Sequence, residues 1–195
     1  MNNQLKILQT ERLRLRRLQS TDISALTDLW CDPIVTKHLG GPRDQVKLKA
    51  IFEEDAKDPF AEPYDLWPVI EKKTNEVIGH CGLLDKEVDG KIEYEIIYIL
   101  KTSEWGKGYA TEIGKAMIEH AFGEMKLERL IALIEPENKA SERVASKIGM
   151  KFEKEVLRLE GKNERYMYLK QKIKAVLPNL RSTMTRRHRR VSGAF

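Results

Sequence analysis

Trp105-Gly106-Lys107-Gly108-Tyr109-Ala110 stands between an apolar-rich run, Ile92 to Leu100, and a segment from Thr111 to Met125 in which Ile113, Met117, Ala121 and Met125 recur at helical spacing. The first run suits a strand, and the second an amphipathic helix packed on a sheet. Glycines in a strand-to-helix turn let the backbone bend sharply and approach a ligand. The free N–H groups at the helix start then favour negatively charged groups, phosphate above all. Lys107 adds a mobile cation. The stretch is therefore read as an anion cradle, against the plainer reading of a glycine turn that holds nothing.

Two familiar phosphate loops do not fit. A P-loop needs Ser or Thr after its Gly-Lys, and Lys107 is followed by Gly108. A dinucleotide fingerprint needs a third glycine in a βαβ unit, and Thr111 stands in that place, although Glu135 after the next strand would mimic the ribose-binding acid.

Upstream of the loop, Leu66 to Glu71, Val77 to Leu84 and Ile92 to Leu100 are separated by the turn signals Lys72 to Asn75 and Asp89-Gly90. That spacing predicts an antiparallel meander, which argues against a doubly wound parallel sheet. Earlier still, Arg12 to Arg17 alternates strictly, with Leu13 and Leu15 on one face of a strand. Ser20, Thr21 and Asp22 offer N-cap oxygens to a helix carrying Ile23, Leu26, Leu29 and Trp30, and Val46 to Ala56 reads as a second, more polar helix. Downstream come a strand at Arg129 to Ile134 and a short helix at Asn138 to Ile148 stopped by Gly149. A closing hairpin of Phe152 to Leu159 and Arg165 to Lys170 follows, around Gly161. The expectation is a mixed α+β domain, a mostly antiparallel sheet of about seven strands flanked by about four helices.

With 195 residues, 41% apolar and 33% charged, the chain suits one folded domain, placed at residues 1–177. The formal net charge of +5 equals the five arginines of segment 178–195, namely Arg181, Arg186, Arg187, Arg189 and Arg190, which has no acidic residue. The rest is formally neutral, so the high pI belongs to a basic C-terminal tail whose partner, if it has one, is polyanionic, a nucleic acid for example. No apolar run reaches membrane-spanning length and no secretory signal pattern opens the chain, which points to the cytoplasm. Cys31 and Cys81 lack the spacing of a zinc site or a disulfide framework, and His38, His80, His120 and His188 lack paired metal spacing. A Gly-x-Ser-x-Gly elbow is absent.

Four motifs in order carry a resemblance. They are Thr10-Glu11-Arg12-Leu13-Arg14-Leu15-Arg16, then Val77-Ile78-Gly79-His80-Cys81-Gly82, then Tyr98-Ile99-Leu100 with the glycine loop, then Glu135 to Ser141 with Lys147 to Phe152. Together, over roughly residues 8–171, the sequence resembles the GCN5-related N-acetyltransferase (GNAT) family, in the branch that acetylates ribosomal protein N-termini. It departs from the broad pattern at Trp105, where Gln or Arg is usual, and at Thr102, where proline is common.

The resemblance implies a GNAT-like domain with a V-shaped cleft between strands Ile92–Leu100 and Arg129–Ile134. It implies acetyl-CoA as acetyl donor, no metal, and an amine acceptor, either a protein N-terminus or a small molecule. Oligomeric state is left as monomer or homodimer. Pantetheine would meet backbone near Ile99 and Leu100. The pyrophosphate would sit on Gly106, Lys107, Gly108, Tyr109 and Ala110, flanked by Trp105 and Thr111. Glu95, which alternates with Glu93, would face the cleft as general base. Asn138 and Ser141, both placed at the cofactor by the resemblance, share a face at a helix start, where Asn138 would serve equally well as an N-cap. Ser141 would donate to the leaving thiolate, since the position used by a tyrosine in other branches is Ala145. A different class of reading remains beside this one, a non-catalytic acyl-CoA-binding or regulatory module with a nucleic-acid-binding tail.

Overall fold

Leu13 and Leu15 are wholly buried, as their alternation requires, on strand β2 (Leu13–Arg16). In this computed structural model residues 6–61, 64–157 and 163–170 are described. Around β2 run β1 (Lys6–Gln9), α1 (Ile23–Cys31), α2 (Gln45–Asp55), β3 (Leu66–Glu71), β4 (Val77–Val88) and β5 (Lys91–Leu100). Then follow α3 (Tyr109–Gly123), β6 (Arg129–Ile134), α4 (Lys139–Lys147), β7 (Lys151–Leu157) and β8 (Asn163–Lys170). The strands form one open sheet in the order β1-β2-β3-β4-β5-β6-β8-β7. Every neighbouring pair is antiparallel except β5–β6.

The expected α+β class and the meander are what the chain forms, with eight strands among the described residues rather than about seven. The addition is β1, whose two apolar residues, Ile7 and Leu8, are adjacent and so carry no period-two signal. Pairing of Leu8 with Leu15 across the ladder makes it a strand. The turn expected around Gly161 and the basic segment 178–195 lie outside the described residues. No described helix is long and apolar enough to cross a membrane.

Two apolar layers clamp the sheet. On one face α3 and α4 bring Ile113, Met117, Ala121, Ala145 and Ile148 against Leu83, Ile96, Leu100, Leu130 and Ala132. On the other, Leu26, Leu29 and Trp30 of α1 and Leu48 and Phe52 of α2 close over Leu66 and Ile99. Side chains of β5 therefore alternate between layers: Ile96 and Leu100 face α3, whereas Ile97 and Ile99 face α1 and α2. The motif around Gly79 and Gly82 is a packing device in β4. A Cβ at Gly79 would lie 2.3 Å from the Ile99 carbonyl oxygen, and one at Gly82 only 1.9 Å from that of Asp65.

Candidate active site

A short 3-10 turn, Thr102–Glu104, carries the chain from β5 into the glycine loop. Gly106 (φ 76°) and Gly108 (φ 83°) both take the left-handed backbone that side-chain-bearing residues avoid. Gly108 is the N-cap of α3 and contributes no side-chain acceptor there, so no cap shields the first-turn amides from a ligand. Lys107 pairs with Glu104 at 3.0 Å. The indole of Trp105, half exposed, donates its Nε1–H to the Leu100 carbonyl at 2.9 Å and so ties the loop to the end of β5. Thus Trp105 to Thr111 run together from the C-terminal end of β5 into the start of a helix, with the Tyr109 side chain turned away into the core.

Beside that loop, β5 and β6 part company. They share one register contact, Glu95 opposite Ile131, in a parallel pairing. A continuing ladder would give the Leu133 amide to the β5 backbone. Instead that amide donates to Glu95 Oε1 at 3.2 Å. The Glu95 carboxylate is thus a wedge that intercepts the next ladder bond, and the strands splay from that point. It is buried, 7% exposed, on the face that Ile97 and Ile99 share. Its alternation partner Glu93 is engaged differently, accepting from the Tyr166 hydroxyl at 2.8 Å and lying 3.3 Å from Arg129.

The β4–β5 ladder sets which backbone groups of β5 look into the gap. Lys101 donates its amide to the Ile78 carbonyl at 2.9 Å, so by alternation Ile99 turns its amide and carbonyl toward β4. Tyr98 and Leu100 turn theirs toward β6. Of the two residues expected near pantetheine, Leu100 therefore presents backbone to the gap, and Ile99 contributes an apolar side chain to the core under α1.

On the α3 face of the splay stands Ser141, in the first turn of α4. Asn138 Oδ1 accepts the Ser141 amide at 3.0 Å, so Asn138 is the N-cap of α4. The Tyr98 hydroxyl lies 3.1 Å from the Ser141 carbonyl oxygen and 3.2 Å from its Oγ. Burial pushes the Tyr98 phenol up to about 12, with the Ser141 hydrogen bond partly opposing, so it keeps its proton. Ala145 is fully buried in the core. Tyr98 had no signal in the sequence as a site residue; an aromatic at an inward strand position reads as core.

The histidines divide by environment. His80 is buried, accepts from Trp30 Nε1 at 3.1 Å, and is held neutral by burial at a pKa of about 3. His120, half-buried on α3 beside Trp67, is also shifted down by burial. His38, in the segment between α1 and α2, meets Glu135 just beyond β6 at 2.8 Å, a bond from the helical layer to the end of the splayed strand. No described cluster of His, Cys, Asp and Glu is arranged to hold a metal ion.

A glycine loop at a helix start beside one splayed parallel strand pair is a specific combination, and comparison with known proteins agrees with it. The model of the acetyltransferase (GNAT) domain matches residues 12–151. The chain belongs to that family. It is a GNAT acetyltransferase, and acetyl-CoA is its acetyl donor. An uncharacterized N-acetyltransferase of Bacillus licheniformis, p20, is 35% identical over 157 residues, 78% of this chain and 85% of the relative. The crystal structure of a GNAT-family acetyltransferase from Bacillus anthracis superposes with a TM-score of 0.71 at 28% identity, covering 84% of this chain and 97% of that one. Two more distant structures share the fold. Spermidine N-acetyltransferase from Vibrio cholerae, in complex with CoA and spermine, has a TM-score of 0.69 at 16% identity, covering 83% of this chain and 97% of that one. Ribosomal-protein-S5-alanine acetyltransferase from Vibrio fischeri has a TM-score of 0.66 at 16% identity, covering 85% and 96%.

Proposed function

We propose that this GNAT acetyltransferase moves the acetyl group to a primary amine, a protein N-terminus or a small-molecule amine, by direct attack within a ternary complex. The observation that carries this reading is the placement of Glu95 and Ser141 on opposite faces of the splay that opens beside the glycine loop. The residues present fit the cofactor. Left-handed glycines and an uncapped helix start offer amides to a pyrophosphate, and the backbone of Tyr98 and Leu100 borders the gap where a pantetheine amide would find partners. Acetyl-CoA, when bound, supplies the thioester carbonyl that the amine attacks.

The division of labour among the side chains follows from their faces. Glu95 looks toward the α1–α2 layer, and an amine entering from that side meets a fixed carboxylate that takes its proton directly or through water. Ser141 stands on the α3 side with its hydroxyl held beside Tyr98, ready to donate a hydrogen bond to the thiolate that leaves, while the proton released by the amine returns to that sulfur through solvent. Neither cysteine is set up as a covalent acyl carrier: Cys81 is wholly buried with its thiol pushed far up by burial, and the Cys31 thiol is also shifted up, first by burial. The fold neighbours named above act on acceptors as different as a polyamine and a ribosomal protein, which supports keeping both acceptor classes.

The test is acetyl transfer to a panel of amines and N-terminal peptides, read by thiol release and by intact mass of the acceptor, with CoA binding measured by calorimetry. Acetylated acceptor and saturable CoA binding are expected. Thiol release at background across the panel, together with absent CoA binding, would defeat the reading, whereas binding without turnover would favour a regulatory acyl-CoA module.

A further inference from the structure

The opening Thr10-Glu11-Arg12 turn and the glycine loop are far apart in sequence and one unit in the fold. Arg12 donates its backbone amide to Glu112 Oε1 at 2.9 Å and its Nε to Glu112 Oε2 at 2.7 Å. Its Nη1 donates to the Lys107 carbonyl at 3.0 Å, and the guanidinium lies over the Tyr109 ring, 4.4 Å from its centroid. The Thr10 hydroxyl adds a bond to Glu112 Oε1 at 2.5 Å. Just beyond β3, the Lys72 amide donates to the Arg12 carbonyl at 2.9 Å, and Glu71 at the end of β3 accepts from the Tyr109 hydroxyl at 2.5 Å. Burial of Glu112 opposes its charge, but the bonds from Thr10 and Arg12 outweigh it and lower its pKa.

Two consequences for an anion site follow. A carboxylate in the first turn of α3 suits the helix dipole yet repels any phosphate bound at the same end, and the Arg12 guanidinium neutralises it. In a trans peptide the carbonyl and the next amide point in opposite directions. By drawing the Lys107 carbonyl toward itself, Arg12 aims the Gly108 amide the other way.

We infer that Arg12 is a positioning residue for the cofactor: with Glu112 and Thr10 it sets the orientation of the Lys107–Gly108 peptide and the local charge, and thereby the affinity of the loop for a pyrophosphate. The inference rests on the reading of the loop as the pyrophosphate cradle. The full-length chain and its Arg12→Lys and Arg12→Ala variants are titrated with CoA and with 3′-dephospho-CoA by calorimetry, and acetyl transfer is followed to saturation. A lysine cannot span both Glu112 and the Lys107 carbonyl, so R12K is expected to weaken CoA by about tenfold and R12A by somewhat more. The same factor is expected with dephospho-CoA, and KM for acetyl-CoA rises in R12K while kcat stays within about twofold. R12K keeps the charge and guards against a variant that does not fold, which thermal melts check. Unchanged CoA affinity in a folded R12K overturns the inference. So does a loss seen with CoA and not with dephospho-CoA, which would make Arg12 a ligand of the 3′-phosphate. If the unaltered chain binds neither compound, the cradle reading itself fails, and that outcome is distinct from both.

Discussion

Gly108 offers the sharpest separation of binding from chemistry. Its φ of 83° and ψ of 1° are left-handed, and an added Cβ would meet Arg12 Nη2 at 3.5 Å, an ordinary contact. Gly108→Ala thus brings no clash, and its cost is conformational, about 1–2 kcal/mol for an L-residue held left-handed. In the free protein the loop escapes that cost by rotating into a right-handed or extended geometry, which turns the amide at the start of α3 away. Cofactor binding must then restore the left-handed turn, so the strain appears in Kd, a weakening of about 5- to 30-fold. Gly108→Val, β-branched, should exceed that range. Gly106→Ala, with φ of 76° and nothing within 4 Å of the added atom, is the matched variant in which strain acts alone. Glu95→Gln should leave CoA affinity within about threefold and lower turnover by about a hundredfold or more, as loss of a general base does. Calorimetric CoA titration and kcat at saturating acetyl-CoA read the two quantities separately. Equal effects of Gly108→Ala and Glu95→Gln on Kd would refute the roles given to both residues.

Ser141→Ala should lower kcat with little change in KM for acetyl-CoA, and Tyr98→Phe should do the same to a lesser degree because it removes only the hydroxyl that orients Ser141; a larger loss in Tyr98→Phe would reverse that order of importance. Gly82→Ala forces a Cβ to 1.9 Å from the Asp65 carbonyl oxygen, backbone against backbone, and should cost at least the ~1–3 kcal/mol typical of overpacking. Gly123→Ala, open on all sides, serves as its control in thermal melts, with a small gain from helix propensity. His80, held at a pKa of about 3 by burial against an unfolded value near 6.5, makes the unfolded chain bind more protons between those limits. Stability is therefore full above about pH 6.5 and falls as pH drops toward 3, at up to about 1.4 kcal/mol per pH unit from this group, and urea midpoints between pH 7 and pH 5 should show a flatter slope in His80→Gln.

How much the sequence revealed depended on the range of the interaction that fixes each element. The glycine loop, α3 and the cap at Asn138 are local: period, glycine position and a short polar side chain are enough to read them, and the structure places them as read. The resemblance put Glu95 at the cleft, and alternation grouped it with Glu93. That Glu95 accepts the Leu133 amide while Glu93 is taken up by Arg129 and Tyr166 depends on strands that meet through the topology. The splay is invisible to periodicity for the same reason, since a side chain intercepting a ladder bond leaves no trace in either strand's own pattern. Arg12 belongs to the alternating run and to the opening motif of the resemblance, neither of which gives it a role, and its bonds to Glu112 and Lys107 require knowing that β2 lies beside the start of α3. β1 leaves no mark in the sequence because its strand character is conferred by pairing with β2 rather than by its residues.

The double duty of Glu95 bears on how its catalytic part is to be isolated. Its carboxylate holds the Leu133 amide, so removing the side chain deprives a backbone donor of its partner at the point where the strands separate. Glu95→Ala therefore mixes two losses, a base and a wedge, and a freed Leu133 amide can seek the β5 backbone and extend the parallel pairing into the gap. Glutamine keeps a carbonyl oxygen that accepts the same amide and cannot take a proton from an amine. If Glu95 only props the cleft open, Glu95→Gln should retain turnover and CoA affinity while Glu95→Ala loses both. If it is the base, Glu95→Gln should lose turnover with affinity preserved, and Glu95→Ala should lose turnover and bind CoA more weakly as well. The two patterns differ in the glutamine variant alone, which makes the amide contact at 3.2 Å the reason that substitution, and not alanine, decides the role.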